Sequence, residues 1–284
     1  MQWRARRERF RAILSGNKCL HPASVFDPLS ARIAEHLGFE FAMMAGSTAS
    51  LTVLGAPDLV LLTASEFVQQ AQRVCRAMTL PLLVDADHGY GNALNVARTV
   101  EELATVGVAA ATIEDTNLPP TFASHGKAAL IPVEEGVGKM RAALDARPDP
   151  AFAVIGRTSA PGISNIDDTV KRLTAYEKAG VDALFVVGLK SLADLKAVSG
   201  ATTLPLILGN TGGDLAGGDL AAHRVRIALQ GHTPIMAAVQ AIHDTMKALR
   251  EGTKPGDLKG IATSALMGTL TRAAAYDEAT KKYL

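Results

Sequence analysis

The chain has 284 residues, 48% of them hydrophobic, which is enough for a well-buried core within a single domain spanning 1–284. Its 29 basic and 28 acidic side chains nearly cancel and aromatic residues make up 5%, so neither a nucleic-acid surface nor a base-stacking platform is expected. No stretch approaches the roughly 18 apolar residues of a membrane span, and Cys19 and Cys75, which follow no metal or disulfide spacing, read as small core residues of a cytoplasmic protein.

The N-terminal stretch MQWRARRERFRAIL is basic, with Trp3, Phe10, Ile13 and Leu14 spaced as one apolar helix face. A transit peptide is the alternative to this N-terminal helix. Short apolar runs then follow at 19–26, 39–46, 81–87, 109–115, 152–159, 182–188, 205–210 and 225–231. Several are β-branched and nearly continuous, the pattern of strands buried on both faces. Helical periodicity fills the gaps. DPLSARIAEHLG has Asp27 as N-cap, Pro28 in the first turn and Gly38 as a stop. The stretches at 65–78, 95–107, 133–146, 167–180 and 234–250 read the same way. Eight strand-plus-helix units in about 230 residues predict an α/β fold of the (β/α)8 TIM-barrel type, with a doubly wound open sheet as competitor. Residues 252–284 open on a Pro-Gly turn and form an extra helical segment, expected to pack on a neighbouring subunit.

In such a barrel, catalytic groups stand at the C-terminal ends of strands. Asp85 and Asp87 end the third run, Glu114 and Asp115 the fourth, Arg157 and Thr158 the fifth and Asn210 the seventh. His232 follows the eighth, and Gly46, Ser47 and Thr48 follow the second. Carboxylates gathered at one mouth repel unless a hard divalent ion joins them, most simply Mg²⁺; otherwise they cap helices and solvate loops. Gly89 and Gly91 let the chain leave its strand sharply. Arg157 suits a bidentate grip on a substrate carboxylate, or a structural ion pair with Glu114 or Asp115. The backbone around Gly46 to Thr48, with Ser47, either holds an anionic oxygen or is a plain turn. His232 orients substrate, donates a proton or is structural. His21, His36, His88, His125, His223 and His243 have no comparable placement.

Four motifs together, DADHGYGN, TIEDTNLP, LIPVEEGVGKMRAA and IGRTSA, resemble the isocitrate lyase/phosphoenolpyruvate mutase superfamily from about Val25 to Met246. The oxaloacetate decarboxylase branch is the most similar in character. The resemblance implies a (β/α)8 barrel whose eighth helix is exchanged between subunits in a dimer of dimers, a homotetramer. It implies a small keto-acid substrate, an enolate intermediate and Mg²⁺, with Mn²⁺ as possible substitute. Asp85 resembles the direct metal ligand, and Asp87 and Glu114 the acids that hold metal-bound water. Arg157 resembles the substrate-carboxylate arginine, Gly46 and Ser47 the loop that binds keto-acid oxygens, Asp58 in GAPD an acidic position facing the site through water, and His232 the histidine that marks the decarboxylase branch.

Departures narrow the chemistry. Phe122 stands where the family's lyases carry their protonating cysteine, and no asparagine lies between Asn117 and Glu134, as phosphonopyruvate-processing members require. Val187 and Gly188 replace the lyase glutamate after the sixth strand. The expectation is a carboxy-lyase giving pyruvate and CO₂. The alternatives are a carbon–carbon lyase of a 2-hydroxy or substituted malate, a phosphonopyruvate-processing enzyme and a binding module. For the malate-type lyase, only Ser124 and His125 remain as proton donors in the 118–130 loop.

Overall fold

The computed structural model describes residues 3–124 and 126–284; His125 lies outside them. Helix α1 (Arg4–Ser15) leads into β1 (Ala23–Ser24), α2 (Pro28–His36), β2 (Ala42–Met44), α3 (Gly46–Ala49), α4 (Ala64–Ala77), β3 (Leu82–Asp85), α5 (Ala93–Thr105), β4 (Ala110–Glu114), α6 (Val133–Ala146) and β5 (Ala153–Thr158). Then come α7 (Ala160–Ile163), α8 (Ile166–Ala179), β6 (Ala183–Val186), α9 (Leu192–Ala201), β7 (Leu206–Leu208), β8 (Val225–Ala228), α10 (Thr233–Arg250), α11 (Ser264–Thr271) and α12 (Ala273–Tyr283).

The eight strands are parallel and pair in chain order. Closure comes from Leu20, just before β1: its N–H donates to Arg226 O (2.9 Å) and its carbonyl accepts from Ala228 N–H (3.0 Å). This is the (β/α)8 barrel, not the open sheet. Each strand lies inside its apolar run but is shorter. The first contracts most, to two residues, because Pro22 has no N–H for a ladder. The periodic helices fall where expected; α2 starts on Asp27, whose carboxylate accepts from Ser30 N–H (2.7 Å), with Pro28 at its first position. Helix α9 had no periodicity to reveal it, since small residues and only Leu195 and Val198 form its buried apolar stripe.

Strand alternation divides the core in two. One set of side chains faces the helices. The other fills the barrel, with Met43, Leu83, Ile155, Phe185, Ile207 and Ile227 in one cluster. Helix α1 plugs the N-terminal end, sending Phe10 and Leu14 into that cluster. Its expected apolar face includes a buried arginine: Arg7 pairs with Asp149 (3.0 Å) and donates to Ala104 O (2.5 Å).

Helix α10 behaves differently from the others. Only Ile235 is buried on it, while Met236, Val239, Ile242 and Met246 are exposed. The 252–284 segment, expected on a neighbour, returns to its own chain through α11: Arg32 donates to Leu270 O (3.1 Å) and Arg272 pairs with Glu35 (3.1 Å).

Candidate active site

The inward rows change character toward the C-terminal end of the strands. Leu83 is followed by Asp85 and Asp87, Ala110 by Thr112 and Glu114, and Ile155 by Arg157, each two residues on. The same period places all of them on the barrel's inner side. They meet in a cavity of about 520 Å³ whose wall includes Ser47, Asp58, Asp85, Asp87, Glu114, Arg157 and His232. Seven of the eight residues to which the family resemblance gives a role therefore line one space. The eighth, Gly46, touches it through Asp87: a Cβ at 46 would stand 2.6 Å from Asp87 Oδ2, so only glycine leaves room for that carboxylate.

Tight turning at the end of β3 aims the acids. Asp87 (φ 48°), Gly89 (φ 79°), Tyr90 (φ 62°) and Gly91 (φ 149°) are all left-handed, as the glycines led one to expect. Asn92 then caps α5, accepting from Leu94 N–H at 2.9 Å. His88 faces away from the cavity, and its carbonyl accepts from the buried Lys139 ammonium (3.0 Å).

Arg157 is the cation among the acids. Its Nη1 pairs with Asp85, its Nη2 lies 3.2 Å from Glu114 Oε2, and the Phe185 ring is 5.3 Å from its guanidinium. Burial works against its charge, yet Asp85 and Glu114 more than compensate and raise its pKa. Of the two ion-pair partners expected from sequence, Glu114 is one and Asp115 is not. Asp115 faces outward and is fully buried, held by Tyr176 OH (2.6 Å) and Arg172 Nη1 (3.1 Å). Alternation along TIED carried that signal: Thr112 and Glu114 share one face, Ile113 and Asp115 the other. Asn210 is not in the wall either; its side chain accepts from Gly212 N–H (2.9 Å) in a turn.

One guanidinium does not balance four carboxylates. Burial, with Asp85, Glu114 and Asp58 nearby, pushes the Asp87 carboxyl up to about 8. Burial and Asp85 likewise raise Asp58, and burial raises Glu114 against the pull of Arg157. Among the described residues, no three histidine, cysteine or carboxylate side chains stand close enough to hold an ion unaided. The donor set nevertheless fits a hard cation that keeps water: all its donors are carboxylate oxygens, and they carry uncompensated negative charge.

Short helix α3 begins at the cavity edge. Its first intrahelical bond is Ala49 N–H to Ala45 O (3.0 Å), so the N–H groups of Gly46, Ser47 and Thr48 have no partner within the helix. The segment expected to be a turn or an anion-holding loop is thus the start of a helix.

Two residues were not singled out from sequence. Thr112 Oγ1 donates to Asp85 Oδ1 (2.8 Å) and orients that carboxylate. Its signal was available, two residues before Glu114 on the same strand. Ser24 Oγ lies 3.0 Å from His232 Nδ1, and no local pattern links positions so far apart in the chain.

Fold and site together define a parallel (β/α)8 barrel with an acid-lined mouth and one buried arginine paired with two of the acids. The family profile described as phosphoenolpyruvate phosphomutase matches residues 10–250, and the chain belongs to that family, within the isocitrate lyase/phosphoenolpyruvate mutase superfamily. It is 57% identical over 275 residues to oxaloacetate decarboxylase of Bradyrhizobium diazoefficiens, covering 96% of this chain and 95% of the relative. It is 56% identical over 275 residues to oxaloacetate decarboxylase of Rhodopseudomonas palustris, with the same coverage of 96% and 95%. Among solved structures, phosphonopyruvate hydrolase in complex with oxalate and Mg²⁺ matches at TM-score 0.85 and 28% identity, covering 98% of this chain and 99% of that one. Oxaloacetate acetylhydrolase with 3,3-difluorooxaloacetate matches at TM-score 0.86 and 26% identity, covering 98% and 97%.

Proposed function

We propose that this chain is a Mg²⁺-dependent carboxy-lyase that converts oxaloacetate, or a similar 3-carboxy-2-keto acid, to pyruvate and CO₂. The observation that carries this reading is that relatives more than half identical, and matched along nearly their whole length, bear the name oxaloacetate decarboxylase. The cavity supports it. Asp85 would hold the ion directly, and Asp87 and Glu114 through water; Mn²⁺ suits the same oxygen donors. Such an ion supplies Lewis-acid stabilisation of charge on a keto oxygen. Arg157 holds the substrate's C1 carboxylate, and the free N–H groups at Gly46 to Thr48 meet its keto-acid oxygens. Asp58 faces the bound acid through water, and His232 contacts it. No side-chain acid is needed in the 118–130 loop, which agrees with Phe122 at the position of the lyases' protonating cysteine and fully exposed. Ser124 Oγ donates to Thr121 O (2.8 Å), so it is engaged within its own loop.

The test is pyruvate release with and without a chelator. Asp85→Ala is expected to lose more than the roughly 10–100-fold that removing an outer partner of a metal costs. Oxalate should inhibit the parent. An Asp85→Ala protein turning over oxaloacetate at full rate in chelator would overturn the reading, and conversion of phosphonopyruvate seen by ³¹P NMR would replace it.

The exposed face of α10 supports the assembly we propose. Its apolar side chains are exposed, and an apolar groove of about 490 Å³, lined by Ala23, Ile33, Ala34 and Leu37, opens at its root. Exchange of the eighth helix between subunits buries both surfaces, in a dimer of dimers that light scattering would detect. Residues 1–284 act as one domain, with 252–284 as a helical extension. No described helix is long and apolar enough to cross a membrane. The cytoplasm is proposed as the working compartment because the two cysteines follow no disulfide spacing.

A further inference from the structure

His232 offers the cavity only one of its ring nitrogens. Nδ1 lies 3.0 Å from Ser24 Oγ, so Nε2 is left for a ligand. The partners come from opposite ends of the chain, Ser24 from β1 and His232 from the start of α10, and they meet because β8 closes the barrel against Leu20. The bond has two forms. Either Nδ1–H donates to the serine oxygen and Nε2 keeps a lone pair, or the serine hydroxyl donates to Nδ1 and Nε2 carries the hydrogen.

Two observations choose between them. Ser24 Oγ has no other partner among the described residues, so only the second form gives its hydrogen an acceptor within the protein. The charged groups that act on His232 are the carboxylates of Asp58, in the loop before α4, and Asp85, at the end of β3. A lone pair turned into that field is repelled, and an N–H is attracted. We infer that Ser24 is a positioning residue that fixes His232 as the Nε2–H tautomer, a neutral hydrogen-bond donor to an anionic oxygen of the bound keto acid.

This assigns the proton step elsewhere. Burial disfavours a second proton on His232, and Asp85 and Asp58 offset that only in part. A neutral imidazole N–H is a very weak acid and does not protonate carbon at a useful rate. The C3–C4 bond therefore breaks with its electron pair passing into the C2–C3 bond and onto the keto oxygen, and CO₂ leaves. Water then supplies the proton to C3 and is left as hydroxide, while His232 keeps its own hydrogen. The inference rests on the proposed function only for the identity of the substrate; the tautomer belongs to the free protein.

The direct test is ¹⁵N NMR of histidine-labelled protein at neutral pH, with the His232 signals assigned by their loss in His232→Gln. Hydrogen on Nε2 and none on Nδ1 is expected, with mixed tautomers in Ser24→Ala. Hydrogen on Nδ1 in the parent overturns the inference. In kinetics, Ser24→Ala should lower kcat/KM for oxaloacetate about fivefold, the size of one hydrogen bond. Ser24→Thr, which keeps the hydroxyl, should recover most of it. The loss should vanish in a His232→Gln background, because the serine acts through the histidine. An equal loss in that background also overturns the inference. If the parent releases no pyruvate, the proposed function falls, and the NMR result still judges the tautomer.

Discussion

The two ends of the barrel treat charge in opposite ways. At the N-terminal end, every arginine of α1 finds an acceptor. Arg6 donates to Cys75 O (2.8 Å), Arg9 to Thr79 O, Arg7 pairs with Asp149, and Arg11 pairs with Asp182 (2.9 Å). Those carbonyls lie at or just beyond the ends of α4 and α5, where helices leave acceptors unsatisfied. At the C-terminal end, four carboxylates share one guanidinium, and the Asp87 carboxyl is pushed up to about 8. One end is settled within the chain; the other holds a surplus of negative charge of the kind a hard cation relieves. The same fold thus places stability below and chemistry above.

Three experiments would sharpen or break this contrast. The largest effect is expected for Arg7→Met, which removes the buried cation paired with Asp149 at the closed end. Breaking a buried pair of this kind costs about 3 kcal/mol, and calorimetry should show it as a fall in Tm. KM for the keto acid should not move; a shifted KM would mean that the two ends are not independent. Next is Asp87→Asn, assayed in chelator. Asparagine tolerates the left-handed backbone as aspartate does, so the substitution isolates the charge. Since the folded-state pKa is raised to about 8, the parent loses stability as pH rises from about 4 toward 8. The asparagine protein should melt like the parent near pH 4 and at a higher temperature than the parent above pH 8. Equal melting at high pH would mean that the surplus charge is already relieved within the chain. The smallest effect is expected at Cys75. It is fully buried beside the α1 plug, and burial pushes its thiol up to about 12. A thiol reagent at pH 8 should label the half-exposed Cys19 and leave Cys75 untouched. Labelling of Cys75 in the native protein would show that the closed end opens.

Much of this was legible in the sequence, and the limits have physical causes. Strand cores survive as apolar runs because both faces are buried, so all eight were readable. Their lengths were not, since pairing depends on neighbours and on Pro22. Acids at strand ends pointed to the cavity because the barrel gathers those ends. The direction of Asp115 was also readable from strand alternation, and its outward anchor explains why Tyr176 and Arg172 are buried with it. The Ser24 and His232 pairing was not readable, because it exists only once the last strand meets the first. The buried Arg7 was hidden for a related reason: a basic helix looks like a solvent face until the carbonyls it covers are in place.

The serine that holds His232 also forms part of the apolar groove at the root of α10. Whatever fills that groove becomes insulation for the histidine, keeping bulk water off its Nδ1 side. Quaternary contacts and tautomer control would then be inherited together, and a subunit diluted to solitude would keep its acids and its arginine while losing the dry backing that tells one imidazole nitrogen from the other.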